Sequence, residues 1–259
     1  MKLKSLLASA FFVVGATVAH ADNINVATNI ANPPFEFQDG AGTLMGFEVD
    51  LLNLVGEKLG KTVEFQEMPF QSLFAAVQSS RSDIAIGSIT ITPKRLEAVS
   101  FTQPFYDANQ CLTVASASGI KGVEGLEGKA LAVITGTTGE MWANENEGKL
   151  KIGSVNRYDG NQDPMLDIAT GRIDGLVHDC PIDAYYIKDK PQFAIVATIP
   201  TQEQFGLMLP KDSPLLEEVD GIITDLKKDG KLAELHKKWF GIDAAADSST
   251  VTVQPIPGR

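Results

Sequence analysis

From residue 23 onward, short runs rich in β-branched residues alternate with amphipathic stretches, the pattern of α/β units built on a largely parallel sheet. The spacing predicts a strand over 24–27, a helix over 47–59 ended by Gly60, a strand over 62–67, a helix over 73–78 and a strand over 84–86. The series then recurs as strand 130–134, helix 139–146, strand 152–158, helix 164–170 and strand 175–178. Past Gly206 come a strand over 207–209, a helix over 215–227 and a second helix through 235–239. The Ser-, Thr- and Pro-rich segment 244–259 is expected to be a flexible tail.

The recurrence is visible in letters too. Ser80-Arg81-Ser82-Asp83-Ile84-Ala85-Ile86 and Gly171-Arg172-Ile173-Asp174-Gly175-Leu176-Val177 share a small-Arg-x-Asp turn into a strand, 91 residues apart. Two similar lobes follow, with Ser88 and Asp179 at equivalent strand ends, where ligands of open α/β sheets sit. Ordinary helix-to-strand turn chemistry is the alternative source of the match.

The 259 residues, 44% hydrophobic and 21% charged, suffice for one large α/β domain or two lobes. A formal charge of −11 argues against nucleic-acid binding and against attraction to anionic lipid. The first residues change the picture of location: Lys2 and Lys4, an apolar stretch over 6–18, then Ala19-His20-Ala21. This is the layout of a signal peptide cut after Ala21, giving an exported protein that starts at Asp22. An uncleaved anchor is the alternative, though the run is short for a bilayer.

Few residues carry candidate chemistry. Thr92 and Pro93 open a helix in which Lys94 and Arg95 stand at the end that favours anions. A bound anion resolves that mismatch, and the planar fork of Arg95 suits a carboxylate; a solvated or structurally paired arginine is the alternative. Gly136-Thr137-Thr138-Gly139-Glu140 follows a strand and opens a helix, so it can hold an anion on backbone N–H groups or serve as a plain capping box. Asp179, after His178, could accept an ammonium group while Arg95 takes a carboxylate, or could cap the next helix; His178 could be packed. Three histidines, His20, His178 and His236, form no ligand cluster, and no nucleophile-elbow or phosphate-loop motif occurs, so no metal or cofactor is expected. Cys111 and Cys180 either pair in an oxidising compartment or remain buried thiols.

Five stretches carry a resemblance over 22–243: Pro33-Pro34-Phe35-Glu36-Phe37, Gly46-Phe47-Glu48-Val49-Asp50-Leu51-Leu52, Ile89-Thr90-Ile91-Thr92-Pro93-Lys94-Arg95, Gly136-Thr137-Thr138 and Lys237-Lys238-Trp239-Phe240-Gly241. The chain resembles the periplasmic solute-binding proteins for polar amino acids, the receptors of ABC importers. The resemblance implies a type II periplasmic binding protein: two α/β lobes, 22–108 with 205–243 and 109–204, joined by a two-strand hinge near 107–109 and 202–204. It implies that Arg95 clamps an α-carboxylate with help from Thr90 and the helix start at Thr138, and that Asp179 takes the α-ammonium. Ser88 would add strand-end contacts, and Phe70 would pack on the ligand side chain. His178-Asp179-Cys180-Pro181 looks most like the glutamine-binding branch, which brings His178 into the set.

Two departures bear on the ligand. Asn29 stands where relatives often have Asp, and Asn32 where they usually have a second aromatic. Two amides suit an amide or hydroxyl partner, so glutamine is the first expectation, with Ile134 as an apolar wall. A monomer that closes on its ligand and docks on a membrane permease is implied. The alternatives are a binding protein for an amino-acid conjugate such as an opine, and an exported enzyme resembling the cyclohexadienyl dehydratases.

Overall fold

The computed structural model describes residues 23–258. The leader expected over 1–21 lies outside the described residues. The chain opens with β1 (Ile24–Thr28), a short hairpin β2 (Phe37–Gln38) and β3 (Leu44–Met45), α1 (Phe47–Leu59), β4 (Val63–Glu67), α2 (Phe70–Gln78), β5 (Ile84–Ile86), α3 (Pro93–Leu96) and β6 (Val99–Phe101). It crosses into a second unit on β7 (Tyr106–Ala115), followed by β8 (Ala130–Ile134), α4 (Thr138–Leu150), β9 (Ser154–Tyr158), α5 (Gln162–Ala169), β10 (Gly175–Asp179) and α6 (Cys180–Ile187). The long strand β11 (Phe193–Phe205) returns to the first unit, which β12 (Met208–Pro210), α7 (Leu216–Lys228) and α8 (Lys231–Phe240) complete.

Two five-stranded sheets result, ordered β4-β1-β5-β12-β6 and β11-β7-β10-β8-β9. In each, the strands that alternate with helices are parallel: β1 with β4 and β5, and β8 with β9 and β10. The strands added from the crossover segments are antiparallel, β12 beside β5 and β7 beside β10. The fold is therefore the two-lobe α/β architecture of type II periplasmic binding proteins, and β7 and β11 form its antiparallel link, Tyr106 facing Phe205 and Asp107 facing Gln204.

The repeat in letters is a repeat in structure. The Asp83 carboxylate accepts from the Asn25 N–H at 2.8 Å, and the Asp83 N–H donates to the Asn25 carbonyl at 2.8 Å. In the second lobe Asp174 and Ala130 exchange the same two bonds at 2.8 Å each. In both lobes the aspartate pins the turn before one central strand to the start of its neighbour, so the match is more than common turn composition.

Several elements differ from the expected ones. α2 begins at Phe70, three residues early, because Pro69 fits the position before a helix and Phe70 is buried against Leu73, Phe74 and Val77. α4 runs on to Leu150 despite its polar composition, ended by Lys151 in a left-handed conformation. α3 is a single turn, with the Thr92 side chain accepting from the Arg95 N–H at 3.2 Å, so little helix dipole stands behind the expected charge mismatch. The segment expected as a flexible tail packs on the first lobe, with Ser249 and Thr250 buried. The Thr250 hydroxyl donates to the Phe105 carbonyl at 3.0 Å, and the Thr252 carbonyl accepts from Lys227 Nζ at 3.0 Å.

Candidate functional site

The two lobes meet over a narrow cavity, and all ten residues picked out by sequence line it. Asn29, Asn32, Phe70, Ser88, Thr90 and Arg95 come from the first lobe; Ile134, Thr138, His178 and Asp179 come from the second. Gly87 and Thr137 complete the wall. The free interior is about 10 Å³, the least that one water needs, so a larger ligand enters only if the lobes part or side chains swing aside.

Arg95 is 6% exposed and reaches across the cleft. Its guanidinium donates to the Thr90 carbonyl at 2.6 Å and to the Gly136 carbonyl of the other lobe at 3.1 Å, and lies over the Phe70 and Phe74 rings at 5.6 and 5.1 Å. Burial lowers its pKa to about 10, with Glu203 and Asp179 acting the other way, so it stays charged at neutral pH. Among the described residues it has no ion-pair partner; two carbonyls and two ring faces leave a buried cation that a carboxylate would complete.

Asp179 ends β10 and precedes α6 without capping it by its side chain. Its Oδ1 accepts from Gln110 Nε2 at 2.7 Å. Burial raises the carboxyl to about 7, opposed by His178 and assisted by Glu203 and Asp183. His178 is indeed packed, 3% exposed, with Nδ1 against Asp183 Oδ1 at 3.2 Å and Nε2 3.9 Å from Asp179. Burial pulls its pKa down, but the Asp183 bond and the two nearby aspartates outweigh it and hold the ring above its ordinary value. Cys111 and Cys180 are bonded just beneath: β7 runs antiparallel to β10 with Cys111 opposite His178 and Gln110 opposite Asp179. The disulfide thus ties the strand carrying Gln110 to the turn carrying Asp179.

Ser88 follows the end of β5 at φ 52°, a strained conformation for a residue with a Cβ, and its hydroxyl is buried without a hydrogen-bond partner among the described residues. A buried pair of carboxyls holds this strand end. Glu48 Oε2 accepts from the Gly87 and Ser88 N–H groups at 3.0 and 3.2 Å, while Glu36 accepts from Asn32 Nδ2. Burial pushes both acids up, Glu36 further because Glu48 stands beside it, so the two titrate as a pair.

The two asparagines act differently. Asn29 donates to the Met68 carbonyl at 3.3 Å, which leaves its carbonyl oxygen and a second N–H to offer a ligand. Asn32 is engaged at both ends, donating to Glu36 and accepting from Asn161 of the second lobe at 3.2 Å.

Thr137 caps α4, accepting from the Glu140 N–H at 3.3 Å, and Glu140 reaches back to the Gly136 N–H at 2.7 Å. Only half of the expected capping box forms, since Glu140 closes on the residue before the cap and the Thr137 N–H donates to the Ile134 carbonyl; the first N–H groups of α4 are left without intrahelical partners at the cavity wall. Sequence reasoning missed Glu203, Gln110, Asn161 and the Glu36–Glu48 pair as supports of the site. Glu203 lies in the expected hinge segment, which was the only signal available; Asn161 had none. Among the described residues no group of three His, Cys, Asp or Glu side chains is placed to hold a metal ion, and no helix is long and apolar enough to cross a membrane.

Comparison with known proteins agrees with this geometry. A family profile described as bacterial extracellular solute-binding proteins, family 3, matches residues 24–242. The Escherichia coli strain K12 protein named ABC transporter arginine-binding protein 1 is 30% identical over 244 residues, 92% of this chain and 97% of its own. The histidine-binding periplasmic protein of the same strain is 30% identical over 265 residues, covering 93% and 98%. Among solved structures, a mutant of ArgBP from T. maritima superposes with a TM-score of 0.80 at 33% identity over 85% of this chain and 96% of that one. The arginine-, lysine-, histidine-binding protein ArtJ from Geobacillus stearothermophilus gives 0.80 at 29% over 87% and 98%.

Proposed function

The chain belongs to the bacterial extracellular solute-binding proteins, family 3, and from that premise we propose that it captures a polar α-amino acid between its lobes, outside the cytoplasm, and delivers it to the permease of an ABC importer. The observation that carries this reading is the pairing of opposite charges on opposite walls. Buried Arg95 stands on one lobe without a carboxylate partner, and buried Asp179 stands on the other. A zwitterion bound by both bridges the lobes, and desolvation strengthens each contact. Such a ligand favours the arrangement in which both lobes touch it, which is how binding becomes closure. Arg95 would then exchange the Gly136 carbonyl for the ligand carboxylate, with the Ser88 hydroxyl and the start of α4 as further donors.

The side-chain subsite offers the Asn29 oxygen as an acceptor beside the Phe70 ring. That suits an amide, imidazole or guanidinium donor, so glutamine stands level with arginine and histidine, the ligands in the names of the relatives. Isothermal titration of the protein, stripped of co-purified ligand by unfolding and refolding, with these amino acids, cystine and an opine tests the reading. One of them should bind, and Arg95→Ala should weaken that ligand by roughly 30-fold or more, the cost of removing one partner of a buried charge pair. Near-normal affinity of the variant would rule out the clamp. A protonated Asp179 could also act as a general acid, so turnover of prephenate without amino-acid binding would move the assignment to the dehydratase reading.

A further inference from the structure

Glu203 is the acid in β11 that sits behind the cavity, 7% exposed, where the hinge strand passes between the lobes. Its Oε2 accepts hydrogen bonds from Thr90 Oγ1 at 2.8 Å and Thr138 Oγ1 at 2.9 Å, and it lies 3.1 Å from Gln110 Nε2, whose two hydrogens are divided among Asp179, Glu203 and Thr138. A threonine hydroxyl has one hydrogen and two lone pairs. Thr90 and Thr138 have each given that hydrogen to Glu203, so both meet a ligand as acceptors, Thr138 also standing 3.2 Å from the shared Gln110 Nε2. Neither hydroxyl can then solvate a carboxylate. Together with Asp179 they form three acceptors that converge from both lobes on one cavity, the complement of a group with three N–H donors.

We propose that Glu203 is the positioning residue that makes the pocket selective for a primary ammonium group: by orienting the Thr90 and Thr138 hydroxyls as acceptors, it separates an α-amino acid from its 2-hydroxy or 2-oxo counterpart. A hydroxyl supplies one donor and a keto oxygen none, so two or three of these acceptors go unpaired with the deaminated ligands, and an unpaired buried polar group is costly. The inference rests on the amino-acid reading of the site. It reassigns the Thr90 hydroxyl, which the family resemblance placed with the carboxylate clamp.

The test compares affinities for an amino acid that binds, taken from L-arginine, L-histidine and L-glutamine, with those for its 2-hydroxy and 2-oxo acids. Glu203→Met keeps the length of the side chain and removes the acceptor, which frees both hydroxyl hydrogens. The amino acid should weaken roughly tenfold or more while the deaminated acids hold or gain, so that the discrimination ratio narrows by at least that factor. Thr90→Val removes one acceptor with Glu203 in place and should narrow the ratio in the same direction; it decides the matter if Glu203→Met does not fold. A variant damaged only structurally loses both ligands in proportion, and an unchanged ratio therefore overturns the proposal. So does a wild-type protein that binds amino and hydroxy acids alike. A wild-type protein that binds none of these amino acids instead overturns the amino-acid reading, and this inference falls with it.

Discussion

Asp179 carries a carboxyl that burial holds at about 7, and an arriving ammonium group reverses the balance by favouring the ionised form. Below that value capture of an amino acid must expel the carboxyl proton, approaching one proton at pH 5.5 and falling away above pH 8. Calorimetric titration in buffers of different ionisation enthalpy measures this number, and a count that does not change with pH would contradict the placement of the ammonium on Asp179. The same shift acts on folding. A carboxyl raised above its unfolded value stabilises most at low pH and loses that contribution as pH rises from about 4 to about 7. Asp179→Asn should accordingly flatten the fall in melting temperature over this range, and only in part, since Glu36 and Glu48 are raised too. Arg95 and Asp179 were legible in the sequence as candidates, a cation opening a short helix and an acid ending a strand, each with a structural alternative that only their meeting across one cavity removes. Glu203 was not, because an acid in a polar hinge strand looks solvated until the fold puts Thr90 and Thr138 against it.

The start of α4 is fixed by what its second residue lacks. A Cβ on Gly139 would lie 2.7 Å from the Val177 carbonyl oxygen and 2.9 Å from Gln110 Oε1, too close for either neighbour. Gly139→Ala should therefore push the helix off β10, cost about 1–3 kcal/mol of stability, and weaken the amino acid as the Thr138 N–H leaves the wall. Thermal melts and titration check both, and a variant with unchanged affinity would mean that the α4 terminus does not hold the ligand. Elements that alternate in the βαβ rhythm were visible in the hydrophobic period, as were the aspartates Asp83 and Asp174 that lock each repeat. The linking strands were harder. β11 contains Pro200 and a polar run from Thr201 to Gln204, with a register shift between Ile199 and Glu203 and Gln202 at φ 51°, so its period is broken where it passes from lobe to lobe. α6 was hidden because Cys180-Pro181 reads as a turn and its apolar residues do not gather on one face.

At the scale of the molecule the last residues matter more than their composition suggests. The Ser249 N–H donates to Asp107 Oδ2 at 2.7 Å and its hydroxyl bonds Asp107 Oδ1, while Gln204 Nε2 donates to the Ser249 hydroxyl at 2.7 Å. Asp107 and Gln204 face each other on β7 and β11, so one serine of the tail is bonded to both strands of the link. The same segment gives the Thr252 carbonyl to Lys227 Nζ, a cation that burial has already lowered to about 8. Ser, Thr and Pro here mean a segment without a hydrophobic period, and its order comes from hydrogen bonds to buried partners that no local pattern reveals. Ending the chain after Asp243 should leave Lys227 with two acceptors in place of three and Asp107 without its serine donors. Losing these bonds costs roughly 1–3 kcal/mol, a fall in melting temperature of about 2–12 °C for a chain of this size. If the tail braces the link in the arrangement that brings Arg95 and Asp179 to one cavity, the truncated protein should also bind its amino acid several-fold more weakly. A lowered melting temperature with unchanged affinity would confine the tail to holding the first lobe together and leave the lobe arrangement to the residues of the cleft.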